Sequence, residues 1–122
     1  MKKRHNLSIG NLGEIAASKY LTSLGYKIIE RNFRKRYSEI DIVAKEANTL
    51  VFVEVKTRCD SSFGNPEESI TPYKLRKLIQ SAHYYKLLHP DLPSSLRIDV
   101  VGVYLTMDNK IAKIKHFKNI TL

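Results

Sequence analysis

Apolar residues first recur at helical spacing. From residue 9 to 24, Ile9, Leu12, Ala16, Ala17, Tyr20, Leu21 and Leu24 fall on one broad arc at about 100° per residue, which predicts a helix. Ile15 lies off the arc, and Gly25 is placed to end the helix in a left-handed conformation. Glu14 stands at the border of the apolar arc beside Leu21, so it can point toward whatever the helix packs on.

Beyond Gly25 the period shortens. Tyr26 to Phe33, centred on Ile28 and Ile29, predicts a strand, and Arg34-Lys35-Arg36-Tyr37-Ser38 a turn. Glu39 to Lys45 alternates, with Ile40, Ile42 and Ala44 on one side and Glu39, Asp41 and Val43 on the other. Leu50 to Thr57 is rich in Val and Phe; Val51, Val53 and Val55 share one face, Leu50, Phe52, Glu54 and Lys56 the other. The Glu46-Ala47-Asn48-Thr49 segment suits a four-residue hairpin loop. If Lys45 pairs with Leu50, Asp41 comes opposite Glu54 and Glu39 opposite Lys56, with Cβ atoms about 5 Å apart. A slip of one residue would turn the acids to opposite sides.

Residues 57 to 71 predict a long polar loop containing Ser61, Ser62, Gly64, Asn65 and Pro66, of a length often used to contact substrate. Thr71-Pro72 is an N-cap and first-turn pair for a second helix reaching about Leu88, with Leu75, Leu78, Ile79 and Ala82 as its apolar stripe. Leu96 to Leu105 and Ile111 to Phe117 predict two more strands, paired through Asp108-Asn109. The order is helix, three strands, helix, two strands in a single domain. The second helix is long enough to cross over and set the next strand parallel to a neighbour, giving an α/β fold with a mixed sheet flanked by helices.

Charge narrows the partners. Lys and Arg total 21 against 12 Asp and Glu, a formal net charge of +9 that favours a polyanion, nucleic acid before membrane. No apolar run approaches the roughly 20 residues that cross a bilayer, and no signal-peptide core follows the basic start. One cysteine, Cys59, excludes an internal disulfide and fits a reducing cytoplasm. It has no neighbour at zinc spacing, and neither it nor His83 belongs to a catalytic constellation.

Against that positive background, Asp41, Glu54 and Lys56 gathered on one sheet face point to a divalent cation. Carboxylates repel one another unless something neutralises them, and their oxygens are the hard ligands Mg²⁺ or Mn²⁺ prefers. Lys56 would orient the attacking water or meet the charge growing on a phosphate. Glu14 would supply a third acid. A partly exposed salt-bridge ladder explains the same three residues without a metal. Arg58, Lys74 and Lys77, and the Arg34-Lys35-Arg36 turn, are candidates to grip phosphates. Tyr84 and Tyr85 could stack on bases, although helical spacing beside Ala82 makes at least one a core residue. Arg97 and Asp99 share a strand face as a structural pair.

Gly10-Asn11-Leu12-Gly13-Glu14, Arg31-Asn32, Glu39-Ile40-Asp41-Ile42-Val43, Val51 to Arg58, Phe63-Gly64 and Arg97-Ile98-Asp99-Val100-Val101 closely resemble, in order and over nearly the whole chain, the bacterial YraN family. That family is similar to the restriction-endonuclease-like superfamily and its archaeal Holliday-junction resolvases. The resemblance implies an α-β-β-β-α-β core, here with an additional C-terminal strand. It also implies Mg²⁺- or Mn²⁺-dependent phosphodiester hydrolysis by Glu14, Asp41, Glu54 and Lys56 on branched or repair-associated DNA. Ser38 stands where the family usually has Gly, a modest backbone change. Such folds also serve as binding modules, so a non-catalytic nucleic-acid-binding module and an RNA-associated factor stay open. A homodimer would let two sites address two strands.

Overall fold

The computed structural model describes residues 8–59 and 70–121. Along the chain run α1 (Ile9–Ser23), β1 (Lys27–Lys35), β2 (Ser38–Glu46), β3 (Thr49–Arg58), α2 (Pro72–Leu88), β4 (Ser95–Leu105) and β5 (Ile111–Phe117). The strands form one sheet in the order β1-β2-β3-β4-β5, antiparallel except between β3 and β4, which the α2 crossover makes parallel. The mixed, helix-flanked α/β sheet predicted from the hydrophobic pattern is the one observed. Most of the long polar loop, including Ser61 to Pro66, lies outside the described residues, as does the basic start at residues 1–5. Among the described residues no helix is long and apolar enough to cross a membrane.

Local chemistry sets the helix ends. The Ser8 side chain accepts the Asn11 N–H at 3.1 Å and the Thr71 side chain the Lys74 N–H at 3.1 Å, each satisfying a first-turn donor. Gly25, at φ +94°, closes α1 in a Schellman motif: Tyr26 N–H donates to the Leu21 carbonyl and Gly25 N–H to that of Thr22, both at 3.0 Å.

The helices cover opposite faces. Ala17 and Leu21 of α1 pack on Ile42, Ala44, Val51, Val53, Val101 and Val103. Leu78, Ala82 and Tyr85 of α2 pack on Phe33, Val43, Leu50, Phe52 and Ile98. Ile40 belongs to this second cluster, although strict alternation put it with Ile42 and Ala44. Alternation fails because both strands deform at one level: Asn32 takes a left-handed φ of 57°, and the β1–β2 ladder passes from Arg31↔Ile42 to Phe33↔Ile40 without an Asn32–Asp41 pair. Tyr85 is 1% exposed and donates its hydroxyl to Glu30 Oε1 at 2.8 Å; it is core, not a base-stacking residue.

The β2–β3 hairpin has the predicted register, Lys45↔Leu50 through Ile42↔Val53. Its loop is tighter than expected. Glu46 pairs with Thr49, leaving a two-residue turn that Ala47 enters at φ 53°.

A charged network sits in the α1 layer. Asp99, fully buried, accepts from Arg97 Nε at 2.9 Å, His116 Nε2 at 2.8 Å, the Asn119 N–H at 2.9 Å and Tyr26 Oη at 3.4 Å. The second arm of Arg97 reaches Glu46 at 2.8 Å. The predicted Arg97–Asp99 pair is thus the centre of a larger knot.

Candidate functional site

Asp41 stands where β2 leaves its ladder with β3. The last paired residues before it are Ile42 and Val53, and beyond them the Val55 N–H donates to Asp41 Oδ2 at 2.9 Å. A carboxylate therefore takes the place of a strand partner, and the donor is not stranded. Its other oxygen, Oδ1, lies 3.5 Å from the Arg34 guanidinium.

Glu54 and Lys56 project to one side of β3, as two-residue spacing requires. The Glu54 side chain is 8% exposed, and its Oε2 lies 3.3 Å from Lys56 Nζ and 3.6 Å from Lys74 Nζ of α2. Burial and the neighbouring Asp41 charge raise the Glu54 carboxyl above its ordinary value, against the pull of Lys74 and Lys56.

Glu14 arrives from α1. Its placement depends on Gly13, where the helix presses on β3: a Cβ there would lie 1.8 Å from Thr57 Oγ1 and 2.9 Å from Thr57 Cβ. Glu14 too is raised, by burial first and by Asp41 second, while Arg34, Arg31 and a hydrogen bond from Asn32 lower it. Its Oε1 is buried and without a hydrogen-bond partner. Gly13→Ala should force α1 outward, cost about 1–3 kcal/mol and withdraw Glu14 from Asp41. Thermal melts check this, and Thr57→Ala should restore part of the loss by removing the Oγ1 contact.

Asp41 thus acts electrostatically on both Glu14 and Glu54, which makes it the hub of the acidic group. The grouping is open. Among the described residues no three His, Cys, Asp or Glu side chains close into a metal cage by themselves. Magnesium seldom needs one, because it keeps waters and is commonly held by one or two carboxylates plus substrate phosphate. The orphaned Glu14 oxygen and the raised carboxyls of Glu14 and Glu54 fit such an ion.

Two of the basic candidates for gripping phosphate belong to the acidic group itself: Arg34 lies against Asp41 and Lys74 against Glu54. Lys35 and Arg36 are exposed at the β1–β2 turn, and Lys77 lines a neighbouring pocket. Arg58 bonds the Thr57 carbonyl at 3.1 Å. Glu39, set opposite Lys56 by the register, instead reaches Arg34 at 3.7 Å, because β2 and β3 have parted at that level. Asn32 was missed as a site residue. The signals were its place in the Arg31-Asn32 motif and the tolerance of asparagine for positive φ.

Fold and cluster together define a mixed α/β domain carrying an acidic group edged by lysine and arginine where two strands part. Residues 13–103 match the family described as Uncharacterised protein family UPF0102, and the chain belongs to it. It is 44% identical over 119 residues to the UPF0102 protein of Caldicellulosiruptor saccharolyticus, covering 98% of both chains. It is likewise 44% identical over 114 residues to that of Syntrophomonas wolfei, covering 93% of this chain and 97% of the relative. The YraN-like motifs read from the sequence agree with this membership.

Proposed function

We propose that the protein is a metal-dependent DNA endonuclease, with Asp41, Glu54 and Glu14 as the residues that would hold Mg²⁺ or Mn²⁺. The observation that carries the reading is the buried, unpartnered Oε1 of half-buried Glu14, in a group where burial first and the Asp41 charge second raise the Glu14 and Glu54 carboxyls. Carboxyls perturbed by burial and a like charge cluster at functional sites. The resemblance to the restriction-endonuclease-like superfamily supports the same site.

The ion, when bound, supplies polarisation of the scissile phosphate and a more acidic attacking water. Lys56 holds an ammonium beside Glu54, where it orients that water or meets the charge building on phosphate. Arg34 and Lys74 neutralise the acids at rest and exchange toward phosphate oxygens when the strand arrives. Lys35, Arg36, Arg58 and Lys77 add backbone contacts without sequence preference.

The test is hydrolysis of labelled flapped, branched and plain duplex DNA, with structured RNA alongside, in Mg²⁺, Mn²⁺ or EDTA. Cutting of DNA in either metal and none in EDTA is the expected result. One observation favours a second reading. Glu54 already has two ammonium partners and Asp41 a guanidinium, so the acids are neutralised without an ion. A protein that binds DNA but cuts nothing in either metal is that binding module.

A further inference from the structure

Among the described residues the exposed aromatic side chains are Tyr37, 92% accessible, and Tyr73, 64% accessible. Both line one pocket of about 190 Å³ between the β1–β2 turn and the start of α2, together with Glu39, Lys74 and Lys77. The pocket is joined to the acidic group twice. Lys74 is 3.6 Å from Glu54, and Glu39 is 3.7 Å from Arg34, which in turn reaches Asp41.

A single exposed ring needs no explanation. Two rings interleaved with two lysines, beside a site that would cut a phosphodiester, match how proteins hold single strands: cations follow the phosphates and rings stack on bases. A base inside a duplex has both faces covered by its neighbours and offers none to a tyrosine. Glu39 on the same wall repels phosphate and accepts from base amino groups, which favours the base facing inward. We infer that Tyr37 and Tyr73 hold an unpaired nucleotide of a DNA strand beside the carboxylates, so that the substrate carries a single-stranded flap, gap or overhang. The inference rests on the nuclease reading and names the substrate class of that same site. A fully paired four-way junction offers no such base.

The experiment is equilibrium binding in EDTA at fixed salt, with single-stranded DNA and single-stranded RNA oligonucleotides, a flapped DNA duplex, a blunt DNA duplex and a fully paired four-way DNA junction as probes. The unpaired segments carry 2-aminopurine to report stacking. Wild type should favour the single strand and the flap and quench their fluorescence. Tyr37→Ala and Tyr73→Ala should each weaken flap binding roughly tenfold, with a smaller loss on blunt duplex, and Tyr→Phe at either position should restore both affinity and quenching. Alanine variants that bind the flap like wild type, equal losses on flap and blunt duplex, or tighter binding of single-stranded RNA than DNA would each overturn it. Catalysis is judged apart. If no metal supports cleavage while the tyrosine-dependent preference for flaps persists, the nuclease reading falls and the stacking assignment stands.

Discussion

Asp41→Asn is expected to lower metal-dependent DNA cleavage by about a hundredfold or more while leaving the fold as stable as wild type at neutral pH, or more so. Asparagine keeps an oxygen for the Val55 N–H, so the junction of β2 and β3 stays capped. What it removes is the charge that, second to burial, raises Glu14 and Glu54. A carboxyl raised above its unfolded value favours the folded state in acid, and that contribution is lost as pH rises through the raised value. Wild type should therefore gain stability on moving from neutral toward the ordinary glutamate value of 4.5, and the variant should gain less. Melts at both pH values check this, while single-turnover cleavage checks the chemistry. A third readout needs no turnover: Mn²⁺ should raise the wild-type melting temperature by binding only the folded state, and fail to do so in Asp41→Asn. Undiminished cleavage by a well-folded Asp41→Asn protein would remove Asp41 from the site.

How much of this was legible depended on how local each determinant was. Two-residue alternation placed Glu54 beside Lys56, and the register held from Lys45↔Leu50 to Ile42↔Val53, because strand geometry leaves little freedom once the turn is fixed. The expected Asp41–Glu54 pair lies past the end of that ladder, where Asp41 accepts from the Val55 N–H instead. Gly13-Glu14 could be read as a helix residue near a packing face, but not that the missing Cβ is what lets α1 meet Thr57. The switch of Ile40 to the α2 face escaped the pattern, since it goes with a left-handed Asn32 at the same level of the neighbouring strand, which alternation does not encode. Charge alone could not assign Arg34 and Lys74 to acids rather than phosphates. Their long side chains reach several partners, and only the packing of α2 and the parting of β2 and β3 choose among them.

The largest expected loss of stability is away from the acidic site. Asp99→Ala should cost about 3–5 kcal/mol, near the lower end because Arg97 keeps its 2.8 Å contact with Glu46. Asp99 gathers donors from its own strand β4, from β5 and the segment after it, and from Tyr26 just before β1, so one carboxylate ties the two C-terminal strands to the start of the sheet. Burial works against its charge, but hydrogen bonds from His116, Arg97 and the Asn119 N–H outweigh that and hold the carboxyl below the usual aspartate range. The sign is opposite to that of Glu14 and Glu54. A depressed carboxyl stabilises the fold above its unfolded value of about 3.9, and that contribution disappears as pH falls through the lower folded value. Urea denaturation should accordingly show the full gap between wild type and Asp99→Ala at neutral pH and a narrowing gap in strong acid. A constant gap would mean that the aspartate fills space and carries no charge-dependent role. Because none of these partners touches Asp41 or Glu54, cleavage per folded molecule should persist in Asp99→Ala at temperatures below its melt, whereas Asp41→Asn loses cleavage and keeps its fold. That opposite pair of outcomes separates the residues that hold the sheet together from those proposed to act on a phosphate.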